Sequence, residues 1–166
     1  MRRFIVPLAL SLTLASVGLA WQPASPTRPR RDTARPFAVR TLDGHSLRLD
    51  DLRGRPVILD FWALRCTPCR FSLPQLSAMQ SRYGTRGLMV VGLSVDDDPP
   101  EAVQRFVQRL RLRFPVAMAS EGMLDDYGPV RSLPTTIFID RRGQIVRRLV
   151  GYVDEETLEG FIREIL

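Results

Sequence analysis

Two cysteines placed directly after a short apolar run constrain this chain more than any other feature. Val57 to Ala63 is aliphatic and aromatic, and it follows Gly54 and Pro56. Such a run is typical of a strand that is covered on both faces at the centre of a sheet. Cys66 and Cys69 are the only cysteines among the 166 residues, and they lie where a helical pattern begins. The sequence therefore predicts a central strand followed at once by a pair of sulfur atoms.

The spacing of the two cysteines suits reversible disulfide chemistry. Residues i and i+3 of a helix have Cβ atoms about 5 to 6 Å apart, which is within reach of an unstrained disulfide. The unpaired N–H groups and the dipole at a helix start lower the pKa of a thiol, and so do neighbouring cations such as Arg65 and Arg70. We expect Cys66 to attack as the thiolate, and the more buried Cys69 to resolve the mixed disulfide.

The other apolar patterns predict an α/β domain. Leu88 to Val95 is nearly continuous in apolar residues, which again favours a strand covered on both faces. The acidic run before Pro99-Pro100 predicts the start of an amphipathic helix. Phe37 to Leu49 predicts a hairpin around the Asp43-Gly44 turn. A helix that contains Pro74 is expected from Pro68 to about Tyr83. An extra strand at 114–118 and a helical turn at 123–127 should follow. Strands are then expected after Pro134 and at 144–152, before a last helix capped by Asp154.

The first 36 residues predict an exported protein. Residues 1–20 combine an arginine pair, an apolar stretch and the small residues Gly18 and Ala20, which is typical of a signal peptide or an N-terminal membrane anchor. Residues 21–36 contain four prolines and four arginines and too few apolar side chains to fold, so they are expected to form a linker. The folded domain is then residues 37–166, and the predicted location is extracytoplasmic: periplasmic, secreted or anchored to the inner membrane.

The charge pattern argues against nucleic acid and metal as partners. The net charge is +6 and every basic residue is an arginine. These arginines are scattered, with no basic stripe and no interleaved aromatic residues, so nucleic-acid binding is not expected. His45, the single histidine, falls in the predicted turn and is expected to be solvated. One histidine and two cysteines do not complete a four-ligand structural zinc site.

The residues around the cysteines resemble a known family. Asp60-Phe61-Trp62-Ala63, then Cys66-Thr67-Pro68-Cys69, with Pro74 further on, are similar to the active site of thioredoxins, and the longer layout resembles the exported TlpA/ResA-like thiol-disulfide oxidoreductases. This resemblance implies a thioredoxin fold: a central mixed β-sheet flanked by helices, with an N-terminal hairpin and an inserted strand and helix. Two departures are Arg65, where the family usually has Trp, and the Thr67-Pro68 dipeptide, which leaves the direction of electron flow open.

The resemblance also implies roles for residues outside the cysteine pair. Pro134 matches the cis-proline that faces the cysteines in thioredoxin-like proteins, and the backbone of Leu133 would then pair with an extended substrate. Asp97 matches an acidic residue near the cysteines of the tethered relatives and is expected to be a second-tier proton carrier. Substrate contacts are expected from these backbone groups and from three further residues, Trp62, Thr67 and Pro68, with Trp62 also covering the disulfide.

The position of Asp60 within a buried strand makes it the candidate for proton transfer. A carboxyl group on a buried strand has a raised pKa, because desolvation disfavours its charged form, and it can then exchange protons near neutral pH. The alternative is a carboxylate that is satisfied by backbone donors and has no catalytic part.

These observations together predict a thiol-disulfide oxidoreductase that acts on exported proteins. The expected redox centre is the Cys66–Cys69 disulfide, with no cofactor, and the expected partners are protein thiols or disulfides, including those of cytochrome c maturation, and a membrane electron donor. A peroxidase of the peroxiredoxin type shares the fold, but its Thr-x-x-Cys pattern fails because Ala63 lies three residues before Cys66. A copper carrier needs a better-placed histidine than His45. A tethered binding module with a structural disulfide stays open.

Overall fold

The structure of the protein is a computed structural model that describes residues 32–128 and 130–166. The predicted leader and most of the predicted linker lie outside these residues. Within the described ranges, no helix has the length and apolar character needed to cross a membrane. In chain order the elements are β1 (Ala38–Arg40), β2 (Ser46–Arg48), β3 (Val57–Trp62), α1 (Cys69–Tyr83), β4 (Met89–Ser94), α2 (Pro100–Leu110), β5 (Val116–Met118), α3 (Glu121–Tyr127), β6 (Thr135–Ile139), β7 (Ile145–Val150) and α4 (Glu155–Ile165).

A five-stranded mixed sheet in the order β5-β4-β3-β6-β7 organises the domain. β3 lies at its centre, parallel to β4 and antiparallel to β6, and β5 extends the parallel part beyond β4. Every residue of β3 is buried, as its sequence, apolar except for Asp60, predicts. β1 and β2 form a separate two-stranded hairpin, and β5 with α3 supplies the expected inserted strand and helix. The predicted thioredoxin fold class is confirmed.

Helices α1, α2 and α4 cover one face of the sheet. Leu73, Leu76 and Met79 of α1 recur at helical spacing and pack with residues of α4 such as Ile162 in a single apolar cluster. Pro74 lies inside α1, as expected. The last helix is capped by Asp154, whose carboxylate accepts a hydrogen bond from the Thr157 N–H at 2.9 Å. Cys69, the first residue of α1, belongs to the same apolar cluster.

The opposite face of the sheet packs against the hairpin and α3. Leu59 and Phe61 alternate with the residues of β3 that face the large helices, and they lie in a second apolar cluster with Met123 and Tyr127. The hydroxyl of Tyr127 donates a hydrogen bond to the Arg35 carbonyl at 2.5 Å. The hairpin and the inserted helix therefore close the side of the sheet that lies away from the cysteines.

The chain joins the domain at residues 32–34, within the predicted linker. Thr33 forms an isolated bridge with Gln144, and the Ala34 N–H donates to the Gly143 carbonyl at 2.9 Å. β7 starts next to this bridge and ends at Val150, which pairs with Thr135 beside the site. These contacts place the entry of the chain at the end of the sheet opposite the cysteines. The domain boundary after residue 36 stays a prediction, although contacts with the domain already begin at Asp32.

Candidate active site

Cys66 and Cys69 form a disulfide directly after the central strand. Their Cα atoms are 5.3 Å apart, inside the range that the spacing predicts. Cys66 is partly exposed, whereas Cys69 is 1% exposed and belongs to the apolar cluster beneath α1. The two sulfur atoms therefore have different access to solvent, with Cys66 as the outer one.

The start of α1 points at the outer sulfur. The Cys69 N–H, at the first residue of the helix, lies 3.2 Å from Cys66 Sγ and donates to it. The Cys66 N–H in turn donates to the Ala63 carbonyl at 3.1 Å, which closes a tight turn after β3. Thr67 and Pro68 are exposed between the cysteines. A helix-terminal amide at this sulfur favours the thiolate once the disulfide is reduced.

Asp60 lies on the buried strand β3, on the sheet face that packs against α1. Its side chain has no exposed surface, and its Oδ1 accepts a hydrogen bond from the Thr136 hydroxyl at 2.8 Å. Thr136 is the residue directly opposite Asp60 on β6. Oδ2 has no hydrogen-bond partner in the described part of the chain. Burial raises the pKa of the Asp60 carboxyl to about 7, although the hydrogen bond from Thr136 opposes the rise.

Trp62 is a core residue in the structure. Its side chain is fully buried, and its ring stacks on Phe106 of α2 with centroids 5.6 Å apart. Gly92 on the neighbouring strand leaves room for the indole, because a Cβ at this position would lie 3.2 Å from Trp62 Nε1. In this conformation α2 covers the Trp62 ring and leaves it no exposed surface, and its expected contact with substrate stays a prediction.

The Leu133–Pro134 peptide bond is cis, as the resemblance implies. Pro134 is buried at the start of β6, and its carbonyl accepts a hydrogen bond from the Gly151 N–H at 2.8 Å. Leu133 is partly buried and packs against both apolar clusters. The loop before β6 is thereby fixed to the end of β7.

Comparison with known proteins gives the same assignment as the geometry. The family model described as the AhpC/TSA family matches residues 31–148. The thiol-disulfide oxidoreductase ResA of Bacillus thuringiensis (strain Al Hakam) is 35% identical over 130 residues, which cover 78% of this chain and 74% of that protein. ResA of Halalkalibacterium halodurans is also 35% identical over 130 residues, covering 78% of this chain and 73% of its own length. The chain belongs to the AhpC/TSA family.

A solved structure supports the same placement. The crystal structure described as a thiol:disulfide interchange protein DsbE of Chlorobium tepidum superposes with a TM-score of 0.74 at 35% identity, covering 81% of this chain and 96% of that one. A disulfide with one accessible sulfur, at the amino end of a helix, occupies the central position of this fold. This AhpC/TSA-family chain is a thiol-disulfide oxidoreductase with a thioredoxin-like fold.

The acidic run after β4 approaches the site through Asp96. Both carboxylate oxygens of Asp96 lie 3.0 Å from the Leu64 nitrogen, which donates to them. Asp97, the predicted second-tier proton carrier, is exposed, and its role stays a prediction. Asp96 was not anticipated, but its position offers a clue: it follows a strand that runs parallel to β3, so both loops leave the same edge of the sheet.

An exposed aromatic pair at the start of α1 and the end of β7 was also not anticipated. Phe71 of α1 is 63% exposed and Tyr152 after β7 is 50% exposed, and their rings meet edge to face with centroids 6.2 Å apart. Gly151, next to Tyr152, is the residue that donates to Pro134. An exposed aromatic pair between α1 and the cis-proline loop is a surface that a protein substrate can contact.

The remaining polar predictions concern the arginines and the histidine. Arg65 and Arg70 are both exposed next to the cysteines, as expected. Arg70 also lies over the Phe106 ring, with its guanidinium carbon 5.9 Å from the ring centre. His45 has an 81% exposed side chain in the hairpin turn and contacts Asp43 at 3.1 Å. Its solvated position is confirmed.

Proposed function

We propose that this protein exchanges disulfides with exported proteins, and that Cys66 is the sulfur that meets the substrate. In the reduced protein the Cys66 thiolate attacks a substrate disulfide, forms a mixed disulfide and releases one substrate thiolate. The Cys69 thiolate then attacks Cys66 Sγ, which releases the second substrate thiolate and forms the protein disulfide. Two electrons pass to the substrate. The difference in exposure between partly exposed Cys66 and buried Cys69 is the observation that supports this order.

Asp60 is the proposed proton carrier for the buried sulfur. Cys69 must lose its proton to attack, and its surroundings are apolar. Asp60 lies on the same face of the sheet, and the pKa of its carboxyl, raised by burial to about 7, suits proton exchange near neutral pH. Asp97 is proposed only as a more remote carrier at the surface.

The substrate is proposed to lie along the cis-proline loop. Proline has no N–H, so the backbone of Leu133 is the nearest group able to pair with an extended segment. Thr67 and Pro68 are exposed beside the outer sulfur and complete this contact. The redox centre needs no cofactor, because the cysteine pair itself holds the two electrons.

Residues 1–36 support a location outside the cytoplasm, through their predicted leader and linker. In that compartment, apocytochrome c and other exported proteins with cysteine pairs are the proposed substrates, and a membrane protein is the proposed electron donor.

The direct test is reduction of insulin by the reduced protein with a dithiol donor. Cys66→Ser and Cys69→Ser are each expected to abolish turnover, while Ser72→Ala, which alters a neighbouring residue of α1, is expected to retain it. Full activity in either cysteine variant would contradict the proposal. Cys69→Ala, expressed in cells, is expected to accumulate mixed disulfides through Cys66 and so to identify the substrates.

Two other functions predict different results in the same experiments. A structural disulfide has a reduction potential below about −300 mV, whereas catalytic pairs lie between about −120 and −270 mV. Equilibration with glutathione and dithiothreitol buffers therefore separates the two. A peroxidase would consume peroxide with a thiol donor at a rate that depends on Cys66. We expect no such turnover, because Ala63 occupies the place of the threonine in the peroxidase pattern.

A further inference from the structure

Asp96 connects the loop after β4 to the loop that contains Cys66. β3 and β4 are adjacent and parallel, with Trp62 opposite Ser94, so the two loops start side by side. Both carboxylate oxygens of Asp96 accept from the Leu64 N–H at 3.0 Å. Leu64 is two residues before Cys66, and consecutive Cα atoms are about 3.8 Å apart, so this contact lies within about 8 Å of the reactive residue along the backbone.

The carboxylate of Asp96 is itself held in place. The Ser94 hydroxyl donates to Asp96 Oδ2 at 2.7 Å, and the Asp96 N–H lies 3.3 Å from Ser94 Oγ. Ser94 is fully buried at the end of β4. A buried residue at the end of β4 therefore helps to set the orientation of the partly exposed Asp96.

The backbone of the cysteine loop has few other contacts of this kind. The Cys66 N–H donates to the Ala63 carbonyl at 3.1 Å, and the Leu64 carbonyl has a long contact of 3.5 Å with an Arg70 nitrogen. Among the described residues, Asp96 is thus the side chain that binds the Leu64 N–H from outside the loop. Loss of this acceptor would leave the Trp62 carbonyl, which accepts from the Val95 N–H at 2.9 Å, as the last hydrogen bond between the two segments, and Leu64 itself would have no partner from the segment after β4.

We propose that Asp96 is a positioning residue for the thiol-disulfide exchange: by binding the Leu64 N–H it holds Cys66 Sγ at the amide of Cys69. The proposal rests on the function proposed above. The relevant contact is the 3.2 Å distance between the Cys69 nitrogen and Cys66 Sγ. A loop displacement of about 1 Å takes such a contact out of hydrogen-bonding range. The reduced protein would then lose a donor that favours the reactive thiolate.

If Asp96 acts through its position, its removal should disfavour the Cys66 thiolate; if it acts through its charge, its removal should favour the thiolate. Asp96 is an anion near the cysteine loop, so removal of its charge alone would favour the Cys66 thiolate. Removal of its acceptor would disfavour the thiolate, because the sulfur would leave the helix amide. Asp96→Asn removes the charge and keeps an amide oxygen for Leu64, while Asp96→Ala removes both. The two variants therefore distinguish the two effects.

The experiment measures alkylation of Cys66 by iodoacetamide at about pH 6 in a Cys69→Ser background, which keeps the backbone N–H of residue 69. Asp96→Ala is expected to slow alkylation by about three- to tenfold, the effect of losing one hydrogen bond of ordinary net strength. Asp96→Asn is expected to react at the parent rate or faster. Asp98→Ala, which removes a neighbouring charge of the same run, is the matched control and is expected not to slow the reaction.

If Asp96→Ala reacts as fast as the parent or faster, the positioning role is wrong. Ser94→Ala gives a second measurement if Asp96→Ala does not fold: it is expected to slow alkylation in the same direction but less, and an unchanged rate would contradict the proposal. Alkylation needs no protein substrate. Failure of insulin reduction in the wild-type chain would therefore overturn the proposed function without affecting this result.

Discussion

The site has a buried side and an exposed side, and they differ in nearly every physical property. The buried side consists of residues that are no more than 3% exposed, namely Asp60, Trp62, Cys69 and Thr136. The exposed side consists of residues that solvent reaches beside the outer sulfur, namely Cys66, Phe71 and Tyr152. The buried side contains the ionisable carboxyl group and the sulfur proposed to resolve the mixed disulfide. The exposed side contains apolar surface and the sulfur proposed to meet the substrate.

This difference separates two tasks of a thiol-disulfide oxidoreductase. Proton transfer and release of the mixed disulfide are the same for every substrate, so they can depend on a fixed, buried environment. Selection of a protein substrate requires accessible surface. We therefore expect substitutions on the buried side to change stability and pH dependence, and substitutions on the exposed side to change the affinity for protein substrates.

The largest expected effect is the pH-dependent stability that Asp60 causes. The pKa of Asp60 is raised by burial from 3.8 to about 7, so between these values the folded protein keeps a proton that the unfolded chain releases. Stability therefore falls as pH rises from about 4 to about 7, by on the order of 4 kcal/mol in total. Asp60→Asn cannot ionise, and its stability relative to wild type should increase by this amount between about pH 4 and pH 8, measured by urea unfolding of the oxidised protein.

Asp125→Asn is the control for this measurement, because Asp125 is exposed on α3. Its stability relative to wild type should stay nearly constant over the same pH range. Parallel curves of stability against pH for wild type and Asp60→Asn would show that burial does not keep Asp60 protonated. The buried side of the site would then lack the pH dependence assigned to it.

The next effect concerns the packing of the buried side. A Cβ on Gly92 would lie 3.0 Å from a Phe114 ring carbon and 3.2 Å from Trp62 Nε1. Gly92→Ala is therefore expected to destabilise the protein by about 1 to 3 kcal/mol, as overpacking of a core does. Gly160→Ala in α4 meets nothing within 4 Å and should stabilise the protein slightly, because alanine favours a helix. Equal stability of the two variants in urea unfolding would contradict tight packing around Trp62.

The exposed side should affect substrate affinity by a smaller amount. Phe71→Ser together with Tyr152→Ser removes the exposed aromatic pair, and we expect KM for a protein disulfide to rise about three- to tenfold. The rate with a small aromatic disulfide should change less than twofold, because the cysteines and Asp60 are untouched. Gln108→Ser, on the exposed surface of α2, is the control. An equal loss with both substrates would mean that the pair supports the site and does not contact the partner.

The smallest expected effect is the change in the pKa of Asp60 when its hydrogen bond from Thr136 is removed. The Thr136 hydroxyl donates to Asp60 and lowers the pKa of its carboxyl, against the effect of burial. Thr136→Val removes this donor, so the pKa should rise further and the stability profile should shift towards higher pH. Thr136→Ser keeps the hydroxyl and should leave the midpoint nearly unchanged. A downward shift in the valine variant would contradict the assigned hydrogen bond.

Local sequence patterns predicted the elements and the chemistry of the cysteine pair. β3 was predicted because its apolar run is too short for a buried helix, and the hairpin because Asp43-Gly44 permits a tight turn. Cys66 and Cys69 were predicted to pair because they are spaced i, i+3 at a helix start, and the structure contains that disulfide. Each of these features depends on residues close together in the chain.

Contacts between distant segments were not predictable in the same way. Trp62 was expected to contact substrate and to cover the disulfide, but its burial depends on Phe106, which lies on a helix that follows another strand. The choice of Asp96 over its acidic neighbours as the partner of Leu64 depends on where β4 ends relative to β3. A shift of one residue turns a side chain to the other face of a strand, and the sequence pattern does not fix the ends of elements that finely.

The bridge between Thr33 and Gln144 has a consequence for how the protein can be attached. It lies at the start of β7, whereas the sulfur atoms lie beyond the opposite end of the sheet. A strand of six residues, such as β3, spans about 20 Å. Attachment ahead of Asp32, to a bead, a fusion partner or a lipid surface, would hold the domain at the end opposite the cysteines. A large protein substrate could then still reach the cysteines from the other end.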